Sequence, residues 1–353
     1  MKYETCNDHT SREDSVLSFP RFRLVHRPTP LTELGRFAAA LARKGMRCPR
    51  LLIKRDDCTG LAGGGNKTRK LEFLLGEAMA AGADTLVTTG AIQSNHARQT
   101  AAAAAAAGLH AKLILFDTVP YMRPGYRLSG NRLLDRILGA EIEIVPGDSE
   151  PEQVFLRVMD DLRGRGRRPF FIPTGGSTAT GALGYVAGFS ELMDQLTASG
   201  IEATRIVHAS SSGGTQAGLV AGSVIRSEAP AIHGINVYRV DHQAMVTDIH
   251  RLACATAARL GAGQPSPEKI ILEDGFVGPR YGIPTDETID IIELLARTEG
   301  ILLDPVYSGK AMAGLVSLIQ SGRIPADEPV VFLHTGGMPA LFAYEQEFNR
   351  VAE

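Results

Sequence analysis

The chain has 353 residues, 44% of them apolar and 22% charged, with 38 glycines. So much hydrophobic material excludes disorder as the main state, and a net charge of −2 leaves no basic excess to suggest a nucleic-acid partner. Every apolar run falls short of the roughly 18 residues a membrane helix needs, so no membrane association is expected. Met1 to Asp14 is polar and carries no apolar signal core. Cys6, Cys48, Cys58 and Cys254 lie scattered without CxxC spacing, so they frame neither a zinc site nor a disulfide set. A cytoplasmic enzyme-sized protein without a bound metal is the expectation, and the length predicts about two domains.

In chain order, the glycine-rich run Gly63–Lys70 opens a helix. Its apolar positions Leu71, Leu74, Leu75, Ala78 and Met79 follow the stripe of an amphipathic helix. A strand is predicted over Thr85–Thr89, followed by the turn at Gly90. An alanine-rich helix then runs through Ala101–Ala107 and is stopped by Gly108. Further strands are predicted over Lys112–Phe116, Glu141–Val145, Phe170–Pro173, Arg205–Ala209, Ile232–Tyr238 and Val330–His334. Strands alternating with helices predict an α/β fold with parallel-rich sheets flanked by helices. Gly164–Arg168 and Ser177–Gly184 are the candidate crossings between lobes.

Ligands in such folds sit beyond the carboxyl ends of the strands, so the turns there are where chemistry is sought. In Gly63–Lys70, three glycines permit close backbone approach to a ligand. Lys67 stands at a helix entrance, as a phosphate binder or an imine-forming nucleophile; the structural alternative is a flexible loop and an exposed basic helix start. Ser211–Gly218 follows a strand with small and hydroxyl residues, the composition of an anion cradle, or else of a serine-rich surface turn. Gln93-Ser94-Asn95-His96 precedes the alanine helix. There Ser94 or Asn95 can serve only as a helix cap, and His96 can be merely packed or exposed. Pro173–Ser177, Tyr281-Gly282, Asp304–Lys310 and His334-Thr335-Gly336-Gly337 each set hydroxyl or amide groups beside glycine, and their convergence on one cleft would raise a functional reading.

Together the stretches KRDDCTGLAGGGNKTRKLEFL (54–74), GAIQSNHARQTAAAA (90–104), GGSTATGALGYV (175–186), SSSGGTQAGL (210–219), EGILLDPVYSGKAMAGL (299–315) and LHTGGMPALFAY (333–344) carry a resemblance. It runs from about Ser18 to Tyr344. The chain resembles the pyridoxal-phosphate enzymes of the tryptophan-synthase-β fold, fold type II. Within them it is most similar to the group of D-cysteine desulfhydrase, L-cysteate sulfo-lyase and 1-aminocyclopropane-1-carboxylate deaminase. The resemblance implies pyridoxal 5'-phosphate bound through Lys67, with Ser212, Gly213, Gly214 and Thr215 as the phosphate loop. It implies Asn95 against the cofactor's 3-hydroxyl and Thr335 near its pyridine nitrogen. Ser94, Asn95, His96, Tyr281 and Tyr307 then line the substrate site, with Lys67, Ser94, Tyr281 and Tyr307 as the catalytic set. It also implies a larger cofactor-binding domain (1–69 with 181–353), a smaller domain (70–180) and a homodimer.

One departure bears on the reaction. Where cyclopropane deaminases carry a glutamate against the pyridine nitrogen, this sequence has Ser308. With that carboxylate missing, a hydroxyl such as Thr335 leaves the pyridine nitrogen unprotonated and the ring a weaker electron sink, which suits β-elimination better than ring opening. The reading adopted is a carbon–sulfur lyase releasing pyruvate, ammonium and sulfite or sulfide, with L-cysteate preferred to D-cysteine. A sulfonate calls for guanidinium groups, for which Arg123 and Arg127 are the candidates. The alternatives are a cyclopropane deaminase, a serine racemase or dehydratase, and a non-catalytic sensor of the cofactor or an amino acid.

Overall fold

The computed structural model describes residues 16–349 apart from Ser227, so the polar Met1–Asp14 stretch and Cys6 lie outside the described residues. Among the described residues the chain forms ten strands and ten α-helices. Six strands make one sheet: β1 (Leu31–Glu33), β2 (Leu51–Arg55), β7 (Arg205–Ser210), β8 (Ala231–Asn236), β9 (Ile271–Glu273) and β10 (Val330–His334), in the order β1-β2-β10-β7-β8-β9. Four make the other: β3 (Thr85–Ala91), β4 (His110–Asp117), β5 (Glu141–Pro146) and β6 (Pro169–Ile172), in the order β5-β4-β3-β6. Only β1 against β2 is antiparallel. Thr85–Ala91 and Arg205–Ser210 thus belong to different sheets.

The parallel pattern follows from the sequence. All five residues of β10 are buried, with Phe332 paired to Ile53 on one side and Val207 on the other. A central parallel strand covered on both faces reads as an unbroken apolar run for this reason. The helices are α1 (Gly35–Arg43), α2 (Lys67–Ala80), α3 (Asn95–Ala106), α4 (Gly130–Ile137), α5 (Pro151–Gly164), α6 (Ala179–Ala198), α7 (Gly214–Ser223), α8 (His242–Arg259), α9 (Asp286–Glu299) and α10 (Ser308–Gln320). No helix among the described residues is long and apolar enough to cross a membrane.

Several expectations change. β1, β2 and β9 have no counterpart among the predicted strands. Strand β8 stops at Asn236, which frees Tyr238 and the residue after it for the turn. Helix α2 is not a simple amphipathic helix: Thr68–Gly76 is buried throughout, while Met79 of the proposed stripe is 46% exposed. Its start is not a solvated basic turn either, since Arg69 and Lys70 are buried. Gly164–Arg168 joins α5 to β6 on the four-stranded side, so it crosses between no sheets. The chain passes from β6 to β7 through residues 173–178 and helix α6.

Helix α2 is fixed by charge and by close packing. Arg69 donates to both carboxylate oxygens of Asp56, at 2.7 and 2.8 Å, and to Glu191 at 2.8 Å. Glu191 also takes Lys54 at 2.6 Å, and Asp56 accepts the Tyr185 hydroxyl at 2.7 Å. Gly184 of α6 lies so close that a Cβ on it would sit 2.2 Å from the Arg69 carbonyl oxygen. Only glycine permits that crossing.

Candidate active site

A cavity of about 720 Å³ opens between the carboxyl ends of strands from both sheets. Its wall includes Lys67, Ser94, Asn95, His96, Ser212, Gly213, Thr215, Tyr281, Tyr307 and Thr335. The turns singled out in the sequence therefore converge on one space. Gly214 is not on the wall, because its N–H is turned to the Ser177 hydroxyl at 3.2 Å. Arg123 and Arg127 are not on it either; both are exposed, and Arg127 pairs with Asp117. The arginines that do line the cavity are Arg239, half-buried, and Arg280, exposed. Tyr238 and Arg239 follow the end of β8, so the carboxyl-end rule applied to that strand would have found them. Arg280 adjoins Tyr281 in a loop with no periodic signal.

Lys67 is the first residue of α2, where unpaired helix N–H groups disfavour a second positive charge. Asn66, before it, provides no side-chain cap for the helix. Gln99 does so from α3: its Oε1 accepts the Thr68 N–H at 2.9 Å while its Nε2 donates to the Asn95 carbonyl at 3.1 Å. One side chain thereby ties the start of Lys67's helix to the start of Asn95's. The Lys67 amine donates to the Asn66 amide oxygen at 2.9 Å. Burial pulls its pKa down to about 8, with Asp304 opposing and Arg98 assisting.

Ser94 is both wall and cap. Its hydroxyl accepts the Ala97 N–H at 3.1 Å, the capping role open to it in the sequence. His96 is packed; its Nε2 meets the Thr88 hydroxyl at 2.8 Å, and burial holds its pKa well below the usual imidazole value, so the ring is neutral. The hydroxyls of Tyr281 and Tyr307 hydrogen-bond to each other. Burial pushes Tyr281 up to about 12 and Tyr307 upward as well, so both stay protonated at neutral pH. The Asp304 carboxylate anchors this region from inside, accepting the N–H groups of Val306, Tyr307 and Ser308 at 2.8–2.9 Å. The Ser308 hydroxyl is spent on Asp304 at 2.6 Å and does not reach the cavity wall.

The residues present fit a phosphorylated carbonyl cofactor. Gly213 takes a φ of 80°, which glycine favours, and starts α7, whose N-terminus faces the cavity with the dipole sense that attracts anions. Lys70 lies fully buried under this turn, within 2.9 Å of where a Gly214 Cβ would stand. It donates only to the Gly175 carbonyl, at 3.1 Å, with no carboxylate partner among the described residues. A buried amine without a counter-charge, its pKa pulled well down by burial, is what a phosphate bound in the cradle above would hold in its charged form. Lys54 and Lys310 are buried too. Lys54 pairs with Glu191, and Lys310 donates to the Val277 carbonyl.

Comparison with known proteins gives the class. Residues 22–336 match the family described as pyridoxal-phosphate-dependent enzyme. The chain is 43% identical over 337 residues to a D-cysteine desulfhydrase of Serratia proteamaculans, covering 95% of this chain and 99% of that one. It is equally identical, over 336 residues and the same shares, to a D-cysteine desulfhydrase of Yersinia enterocolitica. A crystal structure of an ACC (1-aminocyclopropane-1-carboxylate) deaminase homologue superposes with a TM-score of 0.84 at 36% identity, covering 96% of this chain and 98% of that one. The processed form of threonine deaminase isoform 2 from Solanum lycopersicum shares the fold alone, at a TM-score of 0.63 and 15% identity, over 95% of this chain and 87% of that one. The chain belongs to the pyridoxal-phosphate-dependent enzyme family, with fold type II. Within it, the chain is a pyridoxal-phosphate-dependent lyase of the D-cysteine desulfhydrase and ACC deaminase group.

Proposed function

We propose that this enzyme eliminates the sulfur group of L-cysteate, releasing sulfite, pyruvate and ammonium. The observation that carries the substrate choice is the presence of Arg239 and Arg280 on the same cavity wall as Lys67. Arg239 is partly committed to Asp248 at 2.6 Å, whereas Arg280 has no ion-pair partner among the described residues. A sulfonate offers three acceptor oxygens to such guanidiniums, and a thiol offers none.

In this reading Lys67 binds the cofactor and takes the proton from Cα of the substrate. The N–H groups of Ser212, Gly213, Gly214 and Thr215 serve the phosphate at the start of α7, with Lys70 beneath. For Gly214 this requires its N–H to leave Ser177. Asn95 would donate to the cofactor's 3-hydroxyl, and the Thr335 hydroxyl would serve its pyridine nitrogen. Ser94 and Asn95 receive the substrate carboxylate, and His96 closes that side. Tyr281 and Tyr307, both protonated, would be the proton donors for a leaving group on Cβ. The bound cofactor supplies electron withdrawal from Cα. Two domains, 1–69 with 181–353 and 70–180, are proposed around the cleft, supported by the two separate sheets. A homodimer is the proposed assembly, checked by light scattering. A cytoplasmic site of action is proposed from the free thiols of Cys48, Cys58 and Cys254, which suit a reducing compartment.

The relatives named D-cysteine desulfhydrase favour D-cysteine as the second reading. A panel of L-cysteate, D-cysteine and D-serine at equal concentration, read for sulfite, sulfide and pyruvate, separates them. Sulfite from L-cysteate as the fastest product supports the proposal; sulfide from D-cysteine as the fastest overturns it. Arg280→Gln should raise KM for L-cysteate about ten- to a hundredfold, the value of a lost charged hydrogen bond, while leaving D-cysteine turnover within about twofold.

A further inference from the structure

The side-chain amide of Asn95 has a donating and an accepting end, and the residues behind it decide which end meets the cavity. Asn131, fully buried in the first turn of α4, is off the cavity wall. Its Nδ2 donates to the Gln93 backbone carbonyl at 3.0 Å and to Asn95 Oδ1 at 2.8 Å. A backbone carbonyl only accepts, so the end of Asn131 that meets it is the nitrogen. That nitrogen requires an acceptor at Asn95 as well, which turns the oxygen of Asn95 inward. Its Nδ2 is left without a hydrogen-bond partner among the described residues. Asn131 is itself held, because its N–H donates to Gln93 Oε1 at 2.9 Å. The polarity of Gln93 is set the same way, since its Nε2 donates to two backbone carbonyls, those of Tyr126 and Ser129. Every link in the chain therefore ends on a group that cannot reverse.

We propose that Asn131 is a positioning residue, locking Asn95 as a hydrogen-bond donor toward the cavity, the polarity that suits an anionic oxygen of the cofactor. This rests on the reading that Asn95 meets the cofactor's 3-hydroxyl. A donor there holds negative charge on that oxygen, and its loss makes the oxygen more basic.

The test is the pH titration of the holoenzyme's visible absorbance in Asn95→Ala, Asn131→Ala, Asn131→Asp and the double alanine variant. Asn131→Ala should move the midpoint up by about half a unit or more. Asn131→Asp keeps the shape but only accepts, so it turns the Asn95 nitrogen inward and should shift the midpoint at least as far. It carries the test alone if the alanine variant does not fold. The double variant should match Asn95→Ala, because Asn131 acts through Asn95. A midpoint unmoved by either Asn131 variant while Asn95→Ala moves it overturns the proposal. So does an Asn131 effect that persists without Asn95. If Asn95→Ala itself leaves the midpoint unchanged, the reading of Asn95 fails and the proposal with it.

Discussion

A lysine that attacks a carbonyl carbon must first lose its proton, and the surroundings of Lys67 arrange this. Burial brings the amine to about 8 from the ordinary 10.5, against the pull of Asp304. A lowered lysine pKa means the neutral form is gained as pH rises through about 8. Cofactor capture by the apoprotein should therefore quicken between about pH 7 and 9 and level off above, followed by absorbance. A rate flat across that range would contradict the assignment. At this scale Lys67 was legible because it stands in a glycine-flanked motif at a helix start, whereas Asn95 and the two tyrosines were singled out through the resemblance. Arg239 and Arg280 were not legible as cavity residues. An arginine in an irregular loop gives the same sequence signal whether it faces solvent or a cavity, and Arg123 and Arg127 drew the eye for that reason.

Helix α2 carries Lys67 on its first turn, so what holds α2 also holds the amine. Arg69, two residues on, is clamped by Asp56 and Glu191. Arg69→Met leaves Asp56 without its buried cation and Glu191 with Lys54 alone, and should cost about 3–5 kcal/mol, read as a lower melting temperature. A change below about 1 kcal/mol would show that the network is not what fixes the helix. The same clamp gives an acid limit. Burial alone would raise Glu191, but Arg69 and Lys54 bring it down to about 2 from the ordinary 4.5. Its stabilising contribution is complete above pH about 4.5 and is lost as pH falls toward 2. The acid-unfolding midpoint should accordingly rise in Glu191→Gln. Among elements, the seven predicted strands were legible from their apolar runs. β1 and β9 are three residues each, too short for any periodicity. β2 ends in Lys54 and Arg55, and a buried lysine that pairs with a residue 137 positions away leaves no local trace.

At the scale of the whole molecule, the site exists because two sheets bring their carboxyl ends to one cavity. Alternation of strand and helix showed the α/β class. The division into two sheets was carried by the resemblance, since composition does not change along the chain. Met122, Leu128, Leu133, Ile137 and Phe342 are apolar and exposed, the surface that the proposed homodimer would have to cover. In the proposed function, one lysine among several buried or half-buried ones holds the cofactor. Lys54 and Lys70 are buried as fully as Lys310, and Lys310 too is brought to about 8 by burial, so depth and pKa alone do not choose among them. Position does, because among these four only Lys67 lines the cavity. The most direct measurement is borohydride reduction of the purified holoenzyme followed by peptide mapping of the lysine that retains the cofactor. That lysine is expected to be Lys67, and retained cofactor on Lys54, Lys70 or Lys310 would overturn the assignment.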